Sequence, residues 1–205
     1  MHKMLEDMIH DIVKEVRHMG YVRADSIPNI DLYMDQVTTF MEERLASTKR
    51  YEDDKILTKT MINNYAKNNL VPAPVKKKYN KEHMMILLFV YYYKNILSIG
   101  DIEKLLLPIT ERFYQSGDDS LGLEDVYENV FDKCAEELPA FMKDLNYTLK
   151  LAGSAFTDAP EEDMDYLQLF TYICLLSQDV YMKTKIIEKL IDTLPDTKDG
   201  ADLKK

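Results

Sequence analysis

A chain of 205 residues that is 46% hydrophobic, with only 6 Gly and 7 Pro, has ample core for one domain or two small ones, which excludes a disordered or low-complexity protein. Its net charge of −10 argues by itself against a nucleic-acid partner, since a phosphate polyanion is repelled by it. Two cysteines exclude a disulfide framework, and the longest apolar run, Met84 to Tyr93, is about half what a bilayer crossing needs.

The opening His2-Lys3-Met4-Leu5-Glu6-Asp7 leads into a charged amphipathic helix and not the apolar centre of a signal peptide, so a cytoplasmic protein is expected. From Met4 to Met19, the residues Leu5, Met8, Ile9, Ile12, Val16 and Met19 share a face, with Gly20 as terminator. His10 and His18 stand eight apart beside Asp7, Asp11 and Glu15, an arrangement that a solvated helix face produces far more often than a metal site. A further helix is expected from Asp31 to Ala46, where Met34, Val37, Met41 and Leu45 recur at spacings of three and four. Ser47 to Ile56 then makes a connection longer than an ordinary helix-turn-helix turn.

Thr58 is placed to cap the helix that follows, because its hydroxyl can accept from an orphan amide of the first turn. At 100° per residue, Lys59, Thr60, Asn63, Asn64 and Lys67 fall on one side, and Met61, Ile62, Tyr65 and Ala66 on the other. Asn can pair two hydrogen bonds with an adenine edge and Thr can contact a thymine methyl, so the polar side has the chemistry of a major-groove reader. A merely solvated surface face has the same composition. Asn69 and the prolines at 72 and 74 end the helix, and Val75-Lys76-Lys77-Lys78-Tyr79 forms a short cationic turn suited to phosphate. Asn80 then caps a helix from Lys81 to Asn95 that is apolar nearly all round and therefore buried on most sides.

These residues resemble the MerR-family DNA-binding domain. Tyr65 with Leu70-Val71-Pro72, Tyr79-Asn80-Lys81-Glu82-His83-Met84, and Leu97-Ser98-Ile99-Gly100-Asp101-Ile102-Glu103-Lys104-Leu105-Leu106 are similar to successive segments of that family. Ile27 to Val37, continued through Leu57 to Pro74, resembles an uncharacterised bacterial family, the YkrK-like proteins, which brings no established activity. The resemblance implies a winged helix-turn-helix, all-α apart from a two-stranded wing. It implies a double-stranded DNA partner met by Lys59, Thr60, Asn63, Asn64, Tyr65, Lys67, Lys76, Lys77, Lys78, Tyr79 and Lys81. The chain departs from the MerR pattern where Asn63-Asn64-Tyr65 replaces Arg-Tyr-Tyr, where Asn69 replaces a helix-ending Gly, and in its short wing.

Charge is distributed in step with this reading. Residues 1–48 carry a net −4, residues 49–100 a net +6 and residues 101–205 a net −12. The one basic block contains the motif, as expected of a polyanion-binding segment.

Ser98 and Asp101 form the start of a helix from Ile99 to Leu107, with Pro108 as the break. Turn chemistry at Gln115 to Ser120 places the boundary between a winged domain, residues 1–115, and a helical bundle, residues 116–205. In the second part, Val126, Val130, Phe131, Cys134 and Leu138 line a helix from Gly122 to Leu138 that Pro139 kinks or restarts. Leu167, Phe170, Cys174, Val180, Ile187, Leu190 and Leu194 are expected on one side of a last long helix, with both cysteines buried and the tail beyond Pro195 frayed. Glu161, Glu162, Asp163 and Asp165 suit a helix N-terminus and not a catalytic pair. No nucleophilic triad, phosphate loop or metal-ligand spacing is present, so neither an enzyme nor a cofactor is expected. Two classes of function remain, a DNA-binding regulator that pairs as a homodimer and a protein-interaction module on the same scaffold.

Overall fold

A computed structural model describes residues 3–17, 20–117 and 120–195 of the chain. These residues form seven α-helices and one small sheet: α1 (Lys3–Arg17), β1 (Leu32–Tyr33), α2 (Met34–Leu45), α3 (Lys59–Lys67), β2 (Lys78–Tyr79), α4 (Lys81–Tyr93), α5 (Ile99–Phe113), α6 (Leu123–Gly153) and α7 (Glu161–Asp192). The expected all-α character is observed, with β1 and β2 the only strands among the described residues. Two compact units divide the chain: Tyr21–Phe131 with the end of α7 from Ile187, and α1 with Asp132–Ile186. The expected boundary after residue 115 falls between α5 and α6, whereas both α6 and α7 contribute to both units.

The larger unit is built round α4. Its residues 83–90 are buried without exception, because a helix apolar on every side finds no face to give to water. Around it pack Val37, Phe40, Met41 and Leu45 of α2, Ile62 and Tyr65 of α3, Ile102 and Leu106 of α5, and Leu123 and Tyr127 of α6. Each fully buried aliphatic side chain contributes about 1.5–3 kcal/mol. Aromatic rings pack both edge to face, as between Tyr127 and Phe131, whose centroids are 4.5 Å apart, and stacked, as Phe89 is on Tyr93 and Phe131. Their hydroxyls are satisfied too: Tyr127 donates to the Val22 carbonyl at 2.5 Å and the Val22 amide donates to the Tyr92 hydroxyl at 3.0 Å.

The sheet corrects the expected start of the second helix. Leu32 and Tyr33 are extended and pair antiparallel with Tyr79 and Lys78, so α2 begins at Met34 and not Asp31. A strand of two residues is too short to show an alternating pattern, and its partner lies far along the chain. Both interior prolines are also passed. Helix α5 continues through Pro108 to Phe113, held by Leu106, Ile109 and Phe113 against the core. Helix α6 runs through Pro139 for 31 residues, and there both Ala135 and Pro139 are exposed, so the carbonyl that loses its donor can be hydrated.

The smaller unit has a thinner core: Ile9, Leu149, Ala152 and Tyr172 are buried, with Val13, Leu169, Leu175 and Leu176 partly so. Gln168 is buried and donates through Nε2 to the carbonyls of Gly153 and Ala155, both at 3.0 Å, which satisfies the end of α6. The expected apolar stripe of α7 is not its packed side. Phe170, Cys174, Val180 and Leu190 are exposed, while Gln168, Tyr172 and Ile191 are buried, because α7 is apolar round much of its circumference and periodicity alone does not select a side. Cys134 is exposed as well, which corrects the expected burial of both cysteines. In α6, Val130 is exposed and Leu123 and Tyr127 take its expected place in the core. Among the described side chains of the expected α1 face, Ile9 is buried and Met8, Ile12 and Val16 are exposed. His18, Met19, Asp118, Asp119, the side chain of Leu5 and the tail beyond Pro195 lie outside the described residues.

Candidate nucleic-acid interface

The site residues divide between α3 and the turn that follows it. Thr58 caps α3 as its position predicts, its Oγ1 accepting from the Met61 amide at 3.2 Å. The helix ends at Asn69, whose φ of 58° is left-handed and lets the Leu70 amide donate back to the Tyr65 carbonyl at 2.9 Å. Entry into α3 is tethered from α4: Lys94 Nζ donates to the Ile56 carbonyl at 2.5 Å, and burial lowers the pKa of this ammonium. Between these ends Lys59, Thr60, Asn63, Asn64 and Lys67 are all exposed, while Ile62 and Tyr65 are in the core. The polar face read from the sequence is therefore the solvent face. Lys59 forms an exposed ion pair with Asp35 of α2, a contact that water and salt screen.

The lysine run is a tight reverse turn. Lys78 N donates to the Val75 carbonyl at 3.0 Å, and Lys76 and Lys77 between them have φ of 50° and 66°. Positive φ at both central positions is the type I′ geometry that Asn-Gly ordinarily fills, and a side chain held there costs on the order of 1 kcal/mol. Both lysines are exposed. Lys78 is half-buried with Nζ 5.3 Å from the centre of the Tyr33 ring, so β1 holds the base of the turn through a cation–π contact as well as through backbone pairing.

Three predicted contacts do not face solvent with the rest. Tyr65 and Tyr79 are 7% and 2% exposed, and burial raises the pKa of both phenols. Tyr65 lies on the apolar side of α3, where its helical position had already put it. The side chain of Lys81 is 17% exposed and pairs with Glu124 at 2.5 Å, which directs it toward the start of α6. Among the described residues, no group of His, Cys, Asp and Glu side chains is arranged to hold a metal ion. No helix among them is long and apolar enough to cross a membrane.

Sequence reading missed His83. It is 1% exposed, and its Nδ1 lies 3.1 Å from the Asn80 amide and 2.6 Å from Asn80 Oδ1. The Tyr114 hydroxyl stands 3.2 Å from Nε2 and 3.3 Å from Nδ1, and the backbone of Pro72 and Ala73 acts on the ring to favour its protonated form. Tyr79 and Tyr114 both meet the imidazole edge to face. Burial lowers the pKa of His83, more than these carbonyls and Asp31 raise it. A signal was present: His83 is three residues past an Asn cap, the place where Glu or Gln closes a capping box.

The geometry defines a small helical domain in which a short antiparallel sheet joins the two ends of the segment that carries α2 and α3. Residues 22–130 match a family described as a domain of unknown function, DUF1836, and since this is more than half of the chain, the protein belongs to that family. No curated protein and no solved structure matches the chain.

Proposed function

We propose that the protein is a DNA-binding regulator of MerR-like winged-helix type, without catalysis, in which α3 enters the major groove and the Lys76-Lys77 turn grips phosphate. The observation that carries this reading is the exposed face of α3, Lys59, Thr60, Asn63, Asn64 and Lys67, in a block of net +6 within an acidic chain. The order β1, α2, α3, turn, β2, α4 supports the winged arrangement, and the YkrK-like resemblance runs through the same segment. Two lysines kept in a conformation that favours Asn-Gly support a role for their charge, since backbone strain persists where something other than stability retains it. On this reading the phosphate contacts give affinity and the asparagines give sequence preference. The regulator acts in the cytoplasm as a homodimer, which presents two α3 helices to two half-sites.

One observation favours the alternative, a protein-interaction module on the same scaffold. Tyr166, Phe170, Ile173, Val180 and Tyr181 of α7 are each more than half exposed, the kind of apolar display that a partner chain would cover. Selection of bound sequences from a random duplex pool separates the two readings. The DNA reading expects a recovered motif that changes with Asn63→Ala, and recovery of no motif by a protein that retains duplex at low salt contradicts the groove-reading role.

A further inference from the structure

We propose that His83 is a positioning residue for the binding surface, and that its protonation releases the segment carrying the Lys76-Lys77 turn. The inference rests on the DNA-binding reading and names a regulation of that site. His83 joins three parts of the larger unit: the stretch leaving α3 through Pro72 and Ala73, the cap of α4 through Asn80, and the end of α5 through Tyr114. The lysine turn lies between the first two of these. It is flanked at one end by residues 72–73, whose backbone acts on the ring, and at the other by Tyr79, which packs on the same ring.

Nδ1 is within hydrogen-bond distance of the Asn80 amide, Asn80 Oδ1 and the Tyr114 hydroxyl, and the first two need opposite states of that atom, a lone pair for the amide and a proton for the oxygen. On this proposal the neutral ring carries its proton on Nε2, beside the Tyr114 hydroxyl, and accepts from the Asn80 amide at Nδ1. A protonated ring has no lone pair at Nδ1, so it donates to Asn80 Oδ1 and leaves the Asn80 N–H without an acceptor. That amide is one residue beyond Tyr79, at the junction of β2 and α4. A part-buried donor left without an acceptor is unfavourable, and undocking the strand and its turn lets water satisfy it. The titratable groups facing the ring are Tyr79 of β2, Tyr114 at the end of α5, and Asp31 before β1, with Glu82 beside it on α4 acting on Tyr114. Only one carboxylate acts on the imidazole directly, and burial outweighs it, so the neutral form is the resident one.

The decisive substitution is His83→Gln, since Gln closes a capping box from the same position and does not titrate. Binding to duplex DNA is measured on the full chain at about pH 7.5 and about pH 5.5, together with amide NMR of residues 76–79 in the free protein across the same range. Wild type is expected to weaken by about tenfold or more on acidification while H83Q holds its affinity, as when the competent fraction falls tenfold. Equal weakening of both proteins overturns the proposal. If wild type binds no DNA at any pH, the functional reading fails by itself and the NMR decides the switch. Movement of the 76–79 amides in step with the His83 ring supports it, and amides that stay fixed while the ring titrates overturn it. The NMR arm uses wild type alone, so it stands even if H83Q does not fold.

Discussion

The two compact units solve the packing of helices in opposite ways. The larger one threads an all-apolar helix, α4, through its centre and surrounds it, whereas the smaller one relies on a few buried side chains, Ile9, Leu149, Ala152 and Tyr172, between amphipathic helices. The whole of the DUF1836 match, residues 22–130, falls on the first. A helix buried on all sides fixes its neighbours and so can carry a defined surface such as α3, while a helix with an exposed apolar side, such as α7, leaves surface over for another chain.

The comparison breaks most readily at α4. Leu88→Ala is expected to lower stability by about 2–5 kcal/mol, read from the denaturant midpoint, because a core closed on every side cannot collapse into the cavity. The matching change on the exposed side of α7, Val180→Ala, is expected to stay within about 0.5 kcal/mol in the same assay. A large loss there would mean that α7 already has a partner in solution. Between these lies Thr58→Ala, which removes the cap of α3 and is expected to cost about 1 kcal/mol and to reduce DNA affinity with it.

The lysine turn offers a change of opposite sign. Replacing Lys76 by Asn and Lys77 by Gly relieves two left-handed side chains, so stability is expected to rise by about 1 kcal/mol while DNA affinity falls. Thermal unfolding and binding on one preparation report both, and loss of stability would remove the argument from strain. The smallest effect is that of pH. Burial lowers the His83 pKa below the ordinary 6.5, so the unfolded chain takes up a proton before the native one does. Its contribution is complete above about pH 6.5 and is lost as the pH falls through that value toward the native pKa. Glu82 shifts the other way, its carboxyl pKa raised chiefly by burial, so the measurement is the difference between wild type and His83→Gln.

What was legible in the sequence was local. Thr58, Asn80 and Ser98 each cap the helix they precede, Asn69 takes the left-handed turn, and the apolar run of α4 is buried as its composition requires. The reading lost ground where distant residues decide. Leu32 and Tyr33 become a strand only because Lys78 and Tyr79 offer a partner, and the helices pass Pro108 and Pro139 because packing holds α5 against the core and exposure lets water reach the carbonyl that Pro139 frees. The packed side of α7 is set by α1 and α6 within the smaller unit, and no count of apolar positions along one helix contains that choice. In the candidate site, the α3 face was legible from helical spacing. The burial of Tyr79, the diversion of Lys81 to Glu124 and the hub at His83 arise from contacts across the fold.

The most direct test is the salt dependence of binding to mixed-sequence duplex DNA, measured for wild type and for the combined Lys76→Ala and Lys77→Ala variant. The DNA-binding account predicts affinity that falls steeply with salt, and a slope shallower by roughly two ions in the variant, since each phosphate contact releases about one counterion. Identical slopes for the two proteins, or no retention of DNA by wild type at low salt, would contradict it.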